Sequence, residues 1–249
     1  MRFPAPLIRG TLRRRYKRFL AEVVLDDGST VTVHCANPGS MLGCLETDAE
    51  VWLSPATNPE RRLRYTWEMV RIDGTLVGIN TAHPNVVVAE AIAAGRIPEL
   101  AGYGSIRREV GYGKAARIDL LLSEVTRPSC YVEVKSVTLK RGANCPGVAE
   151  FPDAVTKRGT KHLRELAAVV ASGAQAVLVF LVQRNDCSRF RIADDIDPVY
   201  GAAFTTALAK GVEAICYSCT LDSKGIILVE SLPIERSRQR AHTDEAYEA

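Results

Sequence analysis

Nowhere does this chain approach the roughly 18 consecutive apolar residues that a membrane-spanning helix needs, so no such span is expected. The N-terminal MRFPAPLIRGTLRRRYKRF is basic but carries no apolar segment behind its charges, so it does not read as a secretory signal. Cysteine is scarce and odd in number: seven, at 35, 44, 130, 145, 187, 216 and 219, too scattered for a disulfide scaffold. A reduced, cytoplasmic protein is the expectation. Cys216 and Cys219 form a lone CxxC without a second pair, which favours structural thiols in a strand over zinc or redox chemistry. No Gly-rich phosphate loop supports a nucleotide or sugar sensor. No helix-turn-helix supports sequence-specific DNA readout. Internal repeats are absent too.

What remains is an ordinary globular composition, 47% hydrophobic and 24% charged, long enough at 249 residues for one large core or two smaller domains. The net charge is only +3, but it is unevenly placed. Seven basic side chains fall in the first 20 residues with no acid among them, and Tyr16 and Phe19 are interleaved with Arg13, Arg14, Arg15, Lys17 and Arg18. Cations neutralise phosphates and aromatic faces stack on unpaired bases, so this segment is a candidate nucleic-acid contact. The alternative is a solvated surface whose aromatics anchor it to the core.

The sharpest chemistry lies in two strand-like runs, ARIDLLL (Ala116–Leu122) and CYVEVKSV (Cys130–Val137), with thirteen residues between Asp119 and Glu133. Alternation along a strand puts Glu133 and Lys135 on one face, opposite Val132 and Val134. In the first run it puts Asp119 with Arg117 and Leu121, opposite Ile118, Leu120 and Leu122. The seven-residue link Ser123–Ser129, with Pro128 as its turn signal, makes an antiparallel pair natural and brings the carboxylates of Asp119 and Glu133 side by side. Two carboxylates in contact need a cation between them or a proton on one. Oxygen-only ligands favour Mg²⁺ or Mn²⁺, and Lys135 could orient a water or neutralise a phosphate. A strand-to-strand salt bridge is the simpler alternative.

Short runs separated by Gly, Pro and Asn turns make residues 1–80 β-rich, with a hairpin at Asp27-Gly28, and predict a small barrel. Leu12, Tyr16, Phe19, Leu20 and Val23 also fit a helical spacing, but the next run alternates as β and a strand is preferred. Residues 81–233 read as an α/β layer in the order αβββαβαβ, with helices at Pro84–Ala94, Asp153–Ala171 and Pro198–Lys210. Residues 234–249 are a polar tail. Asp153 is the expected N-cap of the second helix, which buries Leu163, Leu166, Ala167 and Val170. Arg158, Lys161 and His162 cluster on that helix, where they clamp phosphates or form a solvated basic face. His162, with no second histidine nearby, is a poor metal ligand.

The D119…E133-V134-K135 pattern resembles the PD-(D/E)XK nuclease signature. The wider segments LIRGTLRRRYKRFLAEV, HCANPGSMLGC, GYGKAARIDLLL, CYVEVKSVTL and FPDAVTKRGTKHLRELAAV resemble the bacterial sugar fermentation stimulation protein family, to about Pro233. The resemblance implies an α+β two-domain chain: an N-terminal OB-like barrel followed by a PD-(D/E)XK nuclease-like domain with a mixed sheet. It implies DNA binding, of unknown strand state, and a link to regulation of sugar, notably maltose, utilisation. Carried over by position, Asp119 and Glu133 would be metal ligands with the Val134 carbonyl, Lys135 the catalytic lysine, and Glu90 the helical acid that completes the site. Ile118 stands where the signature has proline. The OB likeness strengthens the Arg13–Phe19 segment as a nucleic-acid contact and puts His34 and Asn37 near it or near the cleft between domains, though Asn37-Pro38-Gly39 also reads as a turn. Two functions compete: an active Mg²⁺- or Mn²⁺-dependent nuclease, and a DNA-binding regulator with a relic site. Oligomeric state is not legible.

Overall fold

A computed structural model describes residues 1–58, 60–112, 116–142 and 146–235. Residues 1–80 build a barrel from β1 (Ile8–Tyr16), β2 (Leu20–Leu25), β3 (Thr30–Cys35), β4 (Glu50–Pro55) and β5 (Tyr65–Ile72), with β6 (Thr75–Gly78) added beside β5. Antiparallel pairs run β3-β2-β1-β4-β5, and a short parallel β3–β5 pairing (His34↔Thr66, Cys35↔Trp67) closes the ring. The Leu12–Val23 stretch is therefore two strands and not a helix. Alternation decides it: Leu12, Ala21, Val23, Val33, Val51, Leu53 and Trp67 fill the barrel at no more than 1% exposure. Gly10 allows the close approach of β1 to β2, since a Cβ there would lie 2.6 Å from Val23 Cγ1. Gly28, at φ +83°, takes the positive-φ position of the β2–β3 turn, and Ser29 N–H donates to Asp27 Oδ1.

The second region is a six-stranded mixed sheet in the order β15-β14-β12-β9-β8-β7. Its strands are β7 (Ser105–Tyr112), β8 (Ala116–Glu124), β9 (Arg127–Val137), β12 (Gln175–Val182), β14 (Glu213–Asp222) and β15 (Gly225–Ser231). The parallel neighbours β9, β12 and β14 form its centre, and their near-continuous apolar runs are buried on both faces. α1 (Pro84–Ala93) covers one face through Val87, Val88 and Ala91. α2 (Lys157–Ala171) and α3 (Pro198–Ala209) cover the other, around Phe180, Phe204 and Leu166. A small side sheet joins β10 (Leu139–Lys140), β11 (Val148–Phe151), β13 (Arg189–Ile192) and β16 (Ile234–Glu235).

Several expectations change. The expected order αβββαβαβ omits the side sheet and β15, whose strands are too short or too mixed in polarity to stand out. Ile234 and Glu235, expected in the polar tail, form β16 beside β13; residues 236–249 lie outside the described residues. The expected seven-residue link shrinks to Val125–Thr126, because β8 and β9 extend towards each other and Pro128 sits within β9. Asp153 does not cap α2. Thr156 does, accepting from Gly159 N–H at 3.0 Å, while Asp153 Oδ2 accepts from Met41 N–H at 2.8 Å across to the barrel. Strict alternation also fails in β8: Ile118 joins Leu121 in the core under α2 and α3, while Leu120 and Leu122 face α1. The cause is local. β8 leaves its ladder with β9 at Leu120↔Val132, and Asp119 Oδ2 takes the Val134 N–H in place of a backbone partner.

Candidate functional site

The strand parting at Asp119 opens a cleft of about 320 Å³ between the barrel and the mixed sheet. One wall is the barrel's 37–39 segment, Asn37, Pro38 and Gly39; the floor is Asp119 and Glu133 to Ser136; the far wall is the start of α2, with Arg158 and His162. Asp197 fixes that far wall. Its carboxylate caps α3 by accepting from Tyr200 N–H and also accepts from Thr156 N–H at 2.7 Å.

Asp119 and Glu133 both lie on the floor, just past the point where the β8–β9 ladder ends, and none of their hydrogen bonds comes from an arginine. Asp119 Oδ1 accepts from Asn85 Nδ2 at 2.9 Å, and Oδ2 accepts from Val134 N–H at 2.7 Å. Burial, then the charge of Glu133, pushes the Asp119 carboxyl up to about 6, against the pull of Val134 N–H, Asn85 and Lys135. Glu133 is only 3% exposed. Its Oε1 meets Lys135 Nζ at 2.6 Å and His162 Nδ1, and these partners outweigh burial and hold the carboxyl below its ordinary value. Its Oε2 is buried with no hydrogen-bond partner. An uncompensated carboxylate oxygen in such a place is costly.

A hard divalent cation fits this donor set. The orphaned Glu133 Oε2 and the half-buried Asp119 supply two carboxylates, and Mg²⁺ keeps several waters beyond one or two protein ligands. Among the described residues no group of three or more His, Cys, Asp or Glu side chains is already gathered as a metal cage. Val134 lies on the floor with its side chain in the α1-facing core. Glu90 is not brought to the site. It lies five residues along α1 from Asn85, about 140° round the helix, and its carboxylate instead meets the N-terminal ammonium at 2.7 Å.

His162 was set aside on sequence grounds because no second histidine is near it, yet it anchors Glu133 and receives Arg158 Nε on its other ring nitrogen at 3.3 Å. The i, i+4 spacing of Arg158 and His162 was the available signal. Asn85 was missed altogether, since an amide next to a helix-initiating proline carries no distinctive pattern. Arg158 lines the cleft, whereas Lys161 pairs with Glu165 on the same helix.

The basic N-terminal segment divides. Arg13 pairs with Asp48 and Arg14 with Glu22 at the surface. Arg15 is turned inward and donates to the carbonyls of Arg18, Asn37, Gly39 and Ser40, and Arg18 donates to Pro38 O. Tyr16 lies under Arg14 and Phe19 under Arg18; Phe19 is 47% exposed. Lys17 and Arg18 turn the hairpin at φ +48° and +63°. Arg15 and Arg18 thus hold the cleft wall at 37–40. Asn37 lines the cleft, but His34 does not. Cys216 and Cys219 are free, buried thiols within β14.

Comparison with known proteins matches this two-part fold. Residues 14–79 match the family description "SfsA N-terminal OB domain", and residues 82–225 match "Sugar fermentation stimulation protein RE domain". The chain belongs to the sugar fermentation stimulation protein family. It is 61% identical to the sugar fermentation stimulation protein homolog of Paramagnetospirillum magneticum, over 94% of this chain and 98% of that one. It is 60% identical to the homolog of Rhodospirillum centenum, over 91% and 96%. A solved structure described as Pyrococcus furiosus SfsA in complex with Ca²⁺ superposes with a TM-score of 0.84 at 26% identity, covering 94% of this chain and 98% of that one. The OB barrel followed by a mixed-sheet domain is thus the fold of the family. Among the described residues, no helix is long and apolar enough to cross a membrane.

Proposed function

We propose that this protein binds DNA across the cleft and hydrolyses its phosphodiesters with Mg²⁺ or Mn²⁺ held by Asp119 and Glu133. The observation that carries the reading is the buried, unpartnered Oε2 of Glu133, a residue that lines the same cleft as Asp119. The family likeness to a protein solved with Ca²⁺ supports a divalent cation, since hard cations share oxygen ligands. When bound, the cation would supply charge neutralisation at the scissile phosphate and acidify a water. The chain's own residues do the rest. His162 holds Glu133 in place, Val134 N–H and Asn85 hold Asp119, and Arg158 offers a guanidinium to a phosphate on the α2 wall. Lys135 Nζ, 2.6 Å from Glu133 Oε1, is placed to turn towards a phosphate oxygen and offset the charge that develops there. Such DNA contact is also the physical route to the regulatory role in sugar utilisation that the sequence resemblance implies.

The test is metal-dependent cleavage across a panel of single-stranded, duplex and junction DNA and of RNA. Nicking with Mg²⁺ or Mn²⁺ should disappear with chelator and in Asp119→Asn, and Lys135→Ala should slow it by about 10²–10³-fold. Cleavage that survives both changes is a contaminant's. A binder without turnover is the second reading, favoured by the Lys135 and His162 contacts that already neutralise Glu133. It predicts salt-sensitive DNA affinity that ignores chelator and no cleavage of any substrate.

A further inference from the structure

The two walls of the cleft touch. Met41 N–H donates to Asp153 Oδ2 at 2.8 Å, which ties the barrel to the chain just before α2. Gly39 closes on the same carboxylate: a Cβ placed there would lie 3.5 Å from Asp153 Oδ2. The space between the walls, about 320 Å³, is at the small end of the roughly 300–1,000 Å³ of small-molecule pockets. It suits one nucleotide, whereas the major groove of a duplex is by itself about 12 Å wide. Glu133, on the floor, is only 3% exposed, so a phosphodiester has to enter the cleft to reach it. Charge favours the same substrate. Among the described residues Lys135 and Arg158 are the lysine and arginine of the lining, against Asp119, Glu133, Glu150 and Asp153. A duplex carries one phosphate per about 1.7 Å of its axis and a single strand one per about 3.4 Å, so an unpaired strand brings less charge to neutralise.

An exposed aromatic is fixed to that wall. Arg18 donates to Pro38 O at 2.9 Å, and its guanidinium lies 5.9 Å from the centre of the Phe19 ring. Phe19 is 47% exposed and stands outside the barrel's core cluster, so it does not anchor the β1–β2 turn. An open ring beside a cation is a surface on which any unpaired base can stack. Resting on the DNA reading above, we propose that the substrate is an unpaired DNA strand, with one nucleotide in the cleft and a neighbouring base on Phe19. The bases of a duplex are already stacked on one another and offer Phe19 no free face. The Met41–Asp153 tie keeps the walls too close for a duplex to reach the floor.

The test is fluorescence anisotropy of the full chain with one labelled DNA oligonucleotide, offered as a single strand and as its blunt duplex. Chelator is present so that no cleavage intervenes. The single strand should bind about tenfold tighter or more. Phe19→Ala should weaken single-strand binding by about fivefold or more and leave duplex binding unchanged, while Phe19→Trp, which keeps a stacking face, should restore it. Val125→Ala, at an exposed apolar residue outside the cleft lining, should change neither. Duplex binding as tight as single-strand binding overturns the proposal, as does a Phe19→Ala variant that binds the single strand like the unaltered chain. Circular dichroism reports whether each variant is folded. A parallel incubation with Mn²⁺ separates this proposal from the reading it rests on. Cleavage of the duplex in preference to the single strand keeps hydrolysis and overturns the unpaired substrate. Single-strand preference with no cleavage of either form ends the hydrolysis reading and upholds the strand assignment. Binding of neither form ends both.

Discussion

Glu133 on β9 and Glu150 on β11 are both almost wholly buried, at 3% and 1% exposure, and both line the same cleft, yet their surroundings differ in kind. Glu150 is saturated. Arg141 grips both of its oxygens at 2.6 and 2.7 Å, Arg191 adds a third contact at 2.7 Å, and Asp195 steadies Arg141 from outside. Its carboxyl is held below the ordinary range because those guanidinium contacts outweigh burial. Glu133 has a lysine and a histidine on one oxygen and nothing on the other. Guanidinium groups cannot give up their charge, whereas an ammonium and an imidazole can. One carboxylate is an architectural lock for the side sheet; the other keeps one oxygen free of partners, as the proposed metal ligand would.

That contrast is open to a direct test. Glu150→Gln leaves two arginines facing an uncharged amide and should cost up to about 3–5 kcal/mol in urea unfolding. Glu133→Gln weakens hydrogen bonds whose donors, Lys135 and His162, border the cleft and can turn to solvent, and should cost no more than about 1–2 kcal/mol while removing cleavage. Equal losses in the two variants would break the distinction between lock and ligand.

A medium effect concerns pH. Asp119 is pushed up to about 6 from 3.8, so between those values the folded chain holds a proton that the unfolded chain has released. Stability therefore falls as pH rises through that window. Glu133 has the opposite sign: its pairing stabilises above its ordinary value of 4.5 and is lost as pH falls through its lower folded value. A proton on Asp119 also competes with a cation, so Mn²⁺ affinity should decline as pH drops below about 6. Denaturation at several pH values without metal should show the rise from pH 6 to 4, and Asp119→Asn should flatten it. An unchanged profile in that variant would assign the titration elsewhere.

Much of this was legible in the sequence because it rests on local rules. Alternation placed Glu133 opposite Val132 and Val134, Asp27-Gly28 marked its hairpin, and Pro84 and Gly95 bracketed α1. The remainder depends on contacts between distant segments. Asp153 looked like a cap because it stands before a helix, but the barrel's Met41 N–H claims it. Ile118 broke alternation because Asp119 takes a backbone donor from the neighbouring strand. Glu90 was carried over from the resemblance by its place on the first helix, but the N-terminal ammonium, brought up from the far end of the chain, holds its carboxylate.

The smallest effects sharpen a second contrast, within the basic hairpin. Arg15 donates to four carbonyls and pins the cleft wall, so Arg15→Ala should cost about 1–3 kcal/mol and impair cleavage by loosening residues 37–40. Arg13 and Arg14 hold surface acids, pairs worth about 0–1 kcal/mol each, and Arg14 also lies over the Tyr16 ring at the surface, so their alanine variants should unfold almost as the unaltered chain does. If they exchange those acids for phosphates, the double variant should flatten the slope of log affinity against log salt by up to about 0.9 per lost contact. The two readouts must separate: stability for Arg15, salt slope for Arg13 and Arg14. A double variant that leaves the slope untouched would remove the β1 arginines from the DNA path and leave Arg158, on the α2 wall, as the cation that meets the backbone at the cleft.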